Sequence, residues 1–224
     1  MIELIENSSR LIGSQKAIDE LAKKEEARVI IISDSHGNPV IFRNIVLQYG
    51  KSCDAIAFCG DGVTDLAHLL EDAGESAELR EAIPPVIAFV HGNCDPVNYV
   101  LMPGISPEEA LPAAQVLKAA GKSIFICHGH NENVNYTLYP LSLRSQTEEC
   151  QIALYGHTHC PDIKTSDDIE LKIINPGSCS RPRGGNPASF AILTITKKVI
   201  DVSFIKISNP FSANPEFKLF TPLI

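Results

Sequence analysis

The feature that most constrains this chain is a short apolar run closed by a turn that combines glycine with Asp, Asn or His, and it occurs five times. The runs are short and largely aliphatic, which is typical of buried strands. Helical stretches follow the first runs, and strands that alternate with helices predict an α/β sheet. Ligands of such sheets bind outside the carboxyl ends of the strands, so we expect the polar turns to lie close together. The runs cover residues 29–32, 55–59, 86–90, 124–127 and 152–155.

Outside these five runs, the sequence pattern predicts a helix near the start of the chain and paired strands in its last third. Residues 14–27 carry apolar side chains at helical spacing and are expected to form one amphipathic helix. After Cys160 four strand-like segments with short turns favour antiparallel pairing, and the tail from Asn209 onward is expected to be irregular. We therefore expect one layered domain at residues 28–224 after a helical extension at residues 1–27. The four segments are residues 163–165, 169–174, 189–196 and 199–207.

Composition narrows the classes of function. The 224 residues are 44% hydrophobic and 21% charged, which is typical of a globular protein. The 19 Lys and Arg against 27 Asp and Glu leave a charge of −8, which disfavours broad binding to duplex nucleic acid. No apolar stretch reaches the roughly 18 residues of a membrane helix, and the N-terminus lacks the apolar region of a signal peptide. Seven cysteines without a CxxC pair are typical of a reducing compartment, so we expect a cytoplasmic protein with no membrane partner.

Histidine is concentrated in the turns that close the predicted strands. Five of the seven histidines lie there, together with two aspartates and one asparagine. Imidazole, carboxylate and amide groups together form the ligand set of borderline divalent metals. One tetrahedral zinc takes about four ligands, and the turns offer more, so we expect two ions. Two ions about 3.5–4 Å apart, with a carboxylate such as Asp61 between them, clamp the attacking and leaving oxygens of a phosphoryl group. The residues are Asp34, His36, Asp61, Asn93, His128, His130, His157 and His159.

The order of the motifs resembles that of a known family. Between Asp34 and His159 the chain carries DSHGN, GDG, GNCD, HGH and GHTH, and NPGS follows at residues 175–178. This pattern resembles the calcineurin-like metallophosphoesterases, in particular the small bacterial and archaeal phosphodiesterases of the YfcE type. The resemblance covers roughly residues 29–207 and leaves the N-terminal segment outside.

The resemblance implies a fold, a cofactor and a set of metal ligands. The fold is α/β (α+β), a four-layer β-sandwich of two mixed sheets flanked by helices. The cofactor is two divalent metal ions, for which we expect manganese, with nickel, iron, cobalt, zinc and magnesium as alternatives. One ion is expected on Asp34, His36 and His159, the other on Asn93, His128 and His157, with Asp61 bridging both.

Several further residues are candidates for work on the substrate. In the wider superfamily a histidine follows the metal-binding asparagine, whereas Cys94 stands here, as in the YfcE-type branch. A thiol is a weak proton donor, so we expect a bias toward diesters with good leaving groups, and we favour Cys94 as a small packed residue near the site over a catalytic thiol. His130 is either a catalytic or supporting residue or an ordinary loop histidine, and Arg183 either contacts phosphate or lies in a solvated basic loop. We take Asp61, Asn93 and His130 as candidate catalytic residues, and Asn38, Cys94 and Arg183 as candidate substrate contacts.

These inferences combine into one predicted activity with named alternatives. We expect a metal-dependent phosphodiesterase that cleaves a small-molecule phosphodiester by attack of a metal-bridging hydroxide at a binuclear site. The first alternative is a phosphomonoesterase of the same fold. The second is a non-catalytic protein-binding scaffold that resembles the retromer subunit of this fold. A nuclease ranks behind these because the chain is acidic, and a homo-oligomer is compatible with the sequence.

Overall fold

The structure is a computed structural model that describes residues 10–101, 110–166 and 170–223. Its described residues form five α-helices, one short 3-10 helix at Gly50–Ser52 and eleven strands. The helices are α1 (Gln15–Lys23), α2 (Pro39–Tyr49), α3 (Val63–Glu75), α4 (Ala77–Ala82) and α5 (Tyr139–Thr147). The strands are β1 (Glu26–Ile32), β2 (Ala55–Phe58), β3 (Val86–Phe89), β4 (Ala114–Ala119), β5 (Lys122–Cys127), β6 (Ile152–Leu154), β7 (Asp162–Ser166), β8 (Leu171–Asn175), β9 (Ala188–Thr196), β10 (Ile200–Ser208) and β11 (Glu216–Leu219).

The strands form two mixed sheets. The first has the order β11-β10-β9-β1-β2-β3, in which β1, β2 and β3 are parallel and β9 runs antiparallel to β1. The second has the order β4-β5-β6-β8-β7, with a parallel centre and antiparallel strands at both edges. The carboxyl ends of the parallel strands in each sheet therefore lie at one edge of that sheet.

Alternate side chains of β1 show how the layers are held together. Val29 and Ile31 pack between the two sheets, where they join residues such as Ile126 of β5. Ile30 and Ile32 point to the other face and pack with residues of α2 and α3. All four are fully buried, and each such side chain contributes roughly 1.5–3 kcal/mol of hydrophobic free energy.

A third apolar cluster completes the layers. It joins α5 to the outer face of the second sheet, with Leu141 packing beside Phe125 and Tyr155. Across the sandwich, the four layers are the helices α2 and α3, the first sheet, the second sheet and α5. This confirms the predicted four-layer sandwich of two mixed sheets.

The five apolar runs form β1, β2, β3, β5 and β6, whereas two strands were missed. Strand β4 alternates between buried and more exposed side chains and forms a hairpin with β5. Strand β11 lies in the tail that was expected to be irregular, and that expectation was wrong. The free edge of β10 offers unpaired N–H and C=O groups, and residues 216–219 bond to them.

The N-terminal helix is shorter than predicted and packs on the sandwich. It ends at Lys23, and the last residues of the predicted range 14–27 already belong to β1. Leu21 enters the core between the sheets, and the N–H of Ala120 donates to its carbonyl at 3.0 Å. The boundary between the predicted N-terminal extension and the domain, at residue 27, stays a prediction. Residues 1–9 of the extension and the predicted strand residue Ile169 lie outside the described residues. Within the described part of the chain, no helix is long and apolar enough to cross a bilayer.

Candidate metal centre

Polar turns follow β1, β2, β3, β5 and β6, and the structure brings side chains of these turns together at the carboxyl ends of strands from both sheets. Several of these residues have a left-handed backbone, which side-chain-bearing residues rarely adopt. Such strain persists where the surrounding structure enforces it and is concentrated at functional sites. The residues and their φ angles are Asp34 (55°), His36 (47°), Asp61 (56°), His157 (67°) and His159 (60°).

Two glycines of the motifs allow these turns to approach one another. A Cβ atom at Gly92 would overlap Oδ1 of Asp61, and one at Gly156 would overlap Oγ of Ser33. Glycine is therefore required where the turns after β3 and β6 press against those after β2 and β1. The repeated glycines of the sequence thus have a packing reason at the site itself.

Four side chains form a compact group of possible metal donors. One ligand atom each from Asp34, His36, Asp61 and His159 lies within 4.8 Å of the others. Nε2 of His36 is 3.0 Å from Nε2 of His159, and that atom is 3.1 Å from Oδ1 of Asp34. Nε2 of His36 is also 3.8 Å from Oδ2 of Asp61. Two imidazoles and two carboxylates that converge in this way are a suitable donor set for a divalent ion.

Asp34 provides the test of whether these residues suit a cation. Its side chain is fully buried, and its Oδ2 accepts hydrogen bonds from Oγ of Ser33 at 2.5 Å and from N of His157 at 3.1 Å. Its Oδ1 is buried without a hydrogen-bond partner in the described part of the chain. A buried carboxylate oxygen without a partner is costly unless a cation or donor compensates it. This oxygen lies at the centre of the four-residue group, so the group suits a metal ion.

Two of the histidines are held in the tautomer that a metal ligand needs. Nδ1 of His128 lies 2.7 Å from the carbonyl oxygen of Cys59, and Nδ1 of His159 lies 2.5 Å from that of Arg181. A carbonyl only accepts, so each Nδ1 carries the proton and donates it. When the ring is neutral, each Nε2 then keeps its lone pair for a metal, which is how ligating histidines are usually supported.

A second group of donors surrounds His128 and shares Asp61 with the first. Nε2 of His128 is 3.3 Å from Oδ2 of Asp61 and 3.2 Å from Oδ1 of Asn93. The ring of His157 lies 5.2 Å from that of His128, but its Nε2 contacts Nδ2 of Asn135 at 2.9 Å. The structure therefore brings Asp61, Asn93 and His128 together and places His157 beside them, directed toward Asn135.

The charges of the site shift the pKa values of its members. Burial acts to raise the pKa of Asp61, but the hydrogen bond and charge of His128 and the amide of Cys94 outweigh it and hold this pKa well below the usual range. Burial acts to lower the pKa of His128, but Asp61 and Asp34 raise it overall. Burial lowers the pKa of His36, with the same two carboxylates opposing. Asp61 is thus ionised and His36 neutral near pH 7.

The predicted substrate contacts occupy different settings. Asn38 is buried, its Oδ1 caps α2 by accepting from N of Ile41, and its Nδ2 donates to the carbonyl of Pro210. Both polar groups are thus engaged within the protein, which does not support a substrate role. The side chain of Arg183 is exposed, and its backbone N donates to the carbonyl of His159 at 3.1 Å.

Cys94 and His130 lie at the mouth of the site. Cys94 is exposed, and its backbone N donates to Oδ1 of Asp61 at 2.8 Å. Burial of the sulfur atom and then Asp61 raise the pKa of the Cys94 thiol to about 11, so it stays protonated near neutral pH. The ring of His130 lies 5.4 Å from that of His128, and its Nδ1 has no partner among the residues that the structure describes. The roles of both residues stay predictions.

Sequence reasoning missed the carboxylate that organises two of the turns. Asp95 closes the GNCD motif, and its Oδ1 accepts from the N–H groups of Gly62 and Val63 at 2.8 and 2.9 Å. Its Oδ2 accepts from those of Asp61 and Gly92 at 2.7 and 2.8 Å. Asp95 thus fixes the backbone on both sides of Asp61. Its signal in the sequence was its place in GNCD, which alone does not distinguish a ligand from a support.

Two more supports account for the remaining motif residues. Asp65 is buried and accepts from Oγ of Ser35 and the N–H of Gly37 at 2.6 and 3.0 Å. In the NPGS turn, Nδ2 of Asn175 donates to the carbonyl of Gly156, and Oγ of Ser178 donates to that of Asp34. These bonds position the turns that carry the candidate ligands.

Comparison with known proteins agrees with this geometry. The model of the calcineurin-like phosphoesterase superfamily domain matches residues 28–198. The probable metallophosphoesterase YsnB of Bacillus subtilis is 30% identical over 177 residues, which cover 79% of this chain and 89% of YsnB. Phosphodiesterase YfcE of Escherichia coli K12 is 32% identical over 176 residues, which cover 74% of this chain and 86% of YfcE.

A solved structure shows the same fold at low identity. Vacuolar Protein Sorting 29 from Cryptosporidium parvum superposes with a TM-score of 0.64 and 16% identity, covering 88% of this chain and 100% of that one. This likeness concerns the fold alone. From the family match, which spans most of the sequence, and from the relatives, the chain belongs to the calcineurin-like phosphoesterase superfamily.

Proposed function

We propose that the chain is a metal-dependent phosphodiesterase with two divalent ions at one site. The observation that carries the proposal is the buried Oδ1 of Asp34, which has no hydrogen-bond partner among the described residues and lies beside Asp61 and two imidazoles. A second observation is that Asp61 also contacts His128, so one carboxylate is shared by two groups of donors. A shared carboxylate between two donor groups is the arrangement that two-metal phosphoryl-transfer sites use. The relative named a phosphodiesterase points to the same reaction.

The proposed ligands follow from these groups. When bound, divalent ions neutralise charge on the phosphoryl oxygens and lower the pKa of the water that they bind toward neutrality. We expect manganese, with nickel, iron, cobalt, zinc and magnesium as alternatives, because the donors combine carboxylates, which suit manganese and magnesium, with imidazoles, which suit nickel, iron and zinc. Asp34, His36 and His159 would hold one ion, Asn93, His128 and His157 the other, and Asp61 would lie between them.

The residues of the chain itself position these donors and shape the substrate preference. The carbonyls of Cys59 and Arg181 keep two imidazoles oriented, and Asp95 fixes the turn that carries Asp61. The Cys94 thiol is a poor proton donor, so an alcohol that needs a proton to leave gains little help at this position. This favours diesters with good leaving groups over ordinary monoesters.

Activity and metal binding of an Asp61 variant test the proposal. The purified chain is titrated with Mn²⁺ by calorimetry and assayed with bis(p-nitrophenyl) phosphate. We expect metal-dependent hydrolysis by the wild type and its loss in Asp61→Asn, which keeps the shape of the side chain. Asp72→Asn is the matched control, because Asp72 pairs with Arg43 at the surface and away from the site. Full turnover by Asp61→Asn would remove the shared-carboxylate assignment.

Two alternatives lead to different outcomes in the same assays. The first is a non-catalytic protein-binding scaffold of the fold shared with Vacuolar Protein Sorting 29, for which we expect metal binding without hydrolysis. A phosphomonoesterase would cleave p-nitrophenyl phosphate faster than the diester. We also propose a small-molecule substrate and a cytoplasmic location, which the acidic charge and the seven free cysteines support.

A further inference from the structure

A pocket of about 370 Å³ lies directly beside the candidate metal centre. We call it the side pocket and define it by six of its lining residues. It adjoins the centre through one contact and one chain neighbour: Nδ2 of Asn135 lies 2.9 Å from Nε2 of His157, and the lining residue Thr158 stands between His157 and His159 in the sequence. The six residues are Asn135, Tyr136, Tyr155, Thr158, Asp162 and Lys164.

The loop that carries Asn135 and Tyr136 is anchored to the sandwich at its start. Asn135 and Tyr136 belong to the loop between β5 and α5, whose Glu132 is buried and forms an ion pair with Arg144. The guanidinium of Arg144 in turn lies over the ring of Phe125, 5.2 Å from its centroid. A loop that is anchored before binding loses less conformational entropy when a ligand enters than a free one.

The chemistry of the lining indicates an uncharged group with a flat ring and hydrogen-bonding atoms. Among the described lining residues, Asp162 and Lys164 are the charged ones, and their Oδ1 and Nζ lie 3.3 Å apart, so this part of the lining carries no net charge to attract a second phosphate. The pair still offers an acceptor and a donor to hydroxyl or amide groups. Tyr136 is 90% exposed at the edge and presents an aromatic face on which a base can stack.

We propose that the side pocket holds one organic group of the phosphodiester substrate and selects a nucleoside there. This inference rests on the proposed phosphodiesterase function and names its substrate class. A phosphate seated at the metal centre would direct one of its ester groups toward Asn135 and Tyr136. The base would stack on Tyr136, and Asp162 and Lys164 would bind its polar atoms or the sugar hydroxyls. A single nucleoside suits a pocket of this volume, whereas a duplex does not.

Two substrates with the same leaving group test the proposal. Thymidine 5′-(p-nitrophenyl) phosphate and methyl p-nitrophenyl phosphate both release p-nitrophenolate, and they differ in the group offered to the pocket. We expect a KM about 10-fold lower for the thymidine ester, because stacking of one base contributes about that much. Tyr136→Ala and Lys164→Ala should raise this KM several-fold and leave kcat/KM for the methyl ester unchanged.

Tyr139→Ala is the matched control for the aromatic change. Tyr139 is also exposed, at 71%, but it does not line the pocket, so its loss should leave both substrates unaffected. Equal KM values of the wild type for the two esters, or equal effects of Tyr136→Ala on both, would overturn the pocket assignment while leaving the phosphodiesterase intact.

A binding measurement separates failure of the pocket from failure of the proposed function. If the metal-loaded wild type hydrolyses neither ester, the phosphodiesterase proposal fails, and calorimetry with thymidine 5′-monophosphate then decides the pocket. Saturable binding that Tyr136→Ala weakens and Tyr139→Ala preserves supports the nucleoside site. Absence of binding, or equal binding by all three proteins, contradicts it.

Discussion

Asp95→Asn should destabilise the protein and weaken metal binding although Asp95 is not a candidate ligand. Its carboxylate accepts four backbone N–H groups, two on each oxygen, at 2.7 to 2.9 Å. Asparagine keeps one oxygen for two of these donors and presents an NH₂ group to the other two. The variant therefore loses two hydrogen bonds and weakens two others.

The expected magnitude follows from the charge and burial of this side chain. Hydrogen bonds to charged groups contribute about 1.5–3 kcal/mol each, against about 0.5–1.5 kcal/mol for neutral pairs. Asp95 is only partly buried, so water replaces some of the lost bonds. We expect a loss of about 3 kcal/mol in the free energy of unfolding, and a fall in metal affinity of about 10- to 100-fold, as is usual when a support of metal ligands is lost.

Urea denaturation of metal-free protein and calorimetry with Mn²⁺ measure these two effects. Asp72→Asn is the control, because its surface ion pair with Arg43 contributes at most about 1 kcal/mol. If Asp95→Asn were no less stable than Asp72→Asn and bound Mn²⁺ like the wild type, the carboxylate would not organise the turns as inferred.

Three further predictions address the leaving group, the glycines and the thiols. Cys94→His introduces a better proton donor, so we expect the ratio of monoester to diester cleavage to rise; an unchanged ratio would contradict the weak-donor argument. Gly92→Ala should displace Asp61 and lower Mn²⁺ affinity at least tenfold, whereas Gly74→Ala, with open space around it in α3, should stabilise the helix by about 0.5–1 kcal/mol. Burial raises the pKa of the Cys150 thiol to about 11, above its value in the unfolded chain, so the folded chain holds this proton more tightly. The resulting contribution to stability is complete below the unfolded pKa and is lost as pH rises through the folded pKa. The free energy of unfolding from urea curves should therefore fall between about pH 9 and pH 11, and less steeply in Cys150→Ala.

The parts of the fold that follow from local patterns were predictable from the sequence. The apolar runs had to be buried strands, and β1, with Val29 and Ile31 on one face and Ile30 and Ile32 on the other, shows that both faces are covered. Strand β11 was not predictable, because it forms only where the free edge of β10 is available. Pairing of this kind depends on tertiary context that the tail's own sequence does not carry.

In the candidate site, too, some features were predictable from local sequence and others depend on tertiary contacts. Asp34, His36, Asp61 and His159 were predictable because each follows a strand whose end faces the others. The direction of His157 was not, because it depends on Asn135, which comes from a separate loop. The role of Asp95 was also hidden, since its partners are backbone N–H groups that leave no mark in the sequence.

The most direct test of the account is a crystal structure of the protein grown with Mn²⁺, with anomalous diffraction recorded at the manganese edge. We expect two anomalous peaks per chain on either side of Asp61, one next to Asp34 and one next to His128. Crystals in which Asp34 and Asp61 keep the same positions and no manganese peak lies between them would contradict the account.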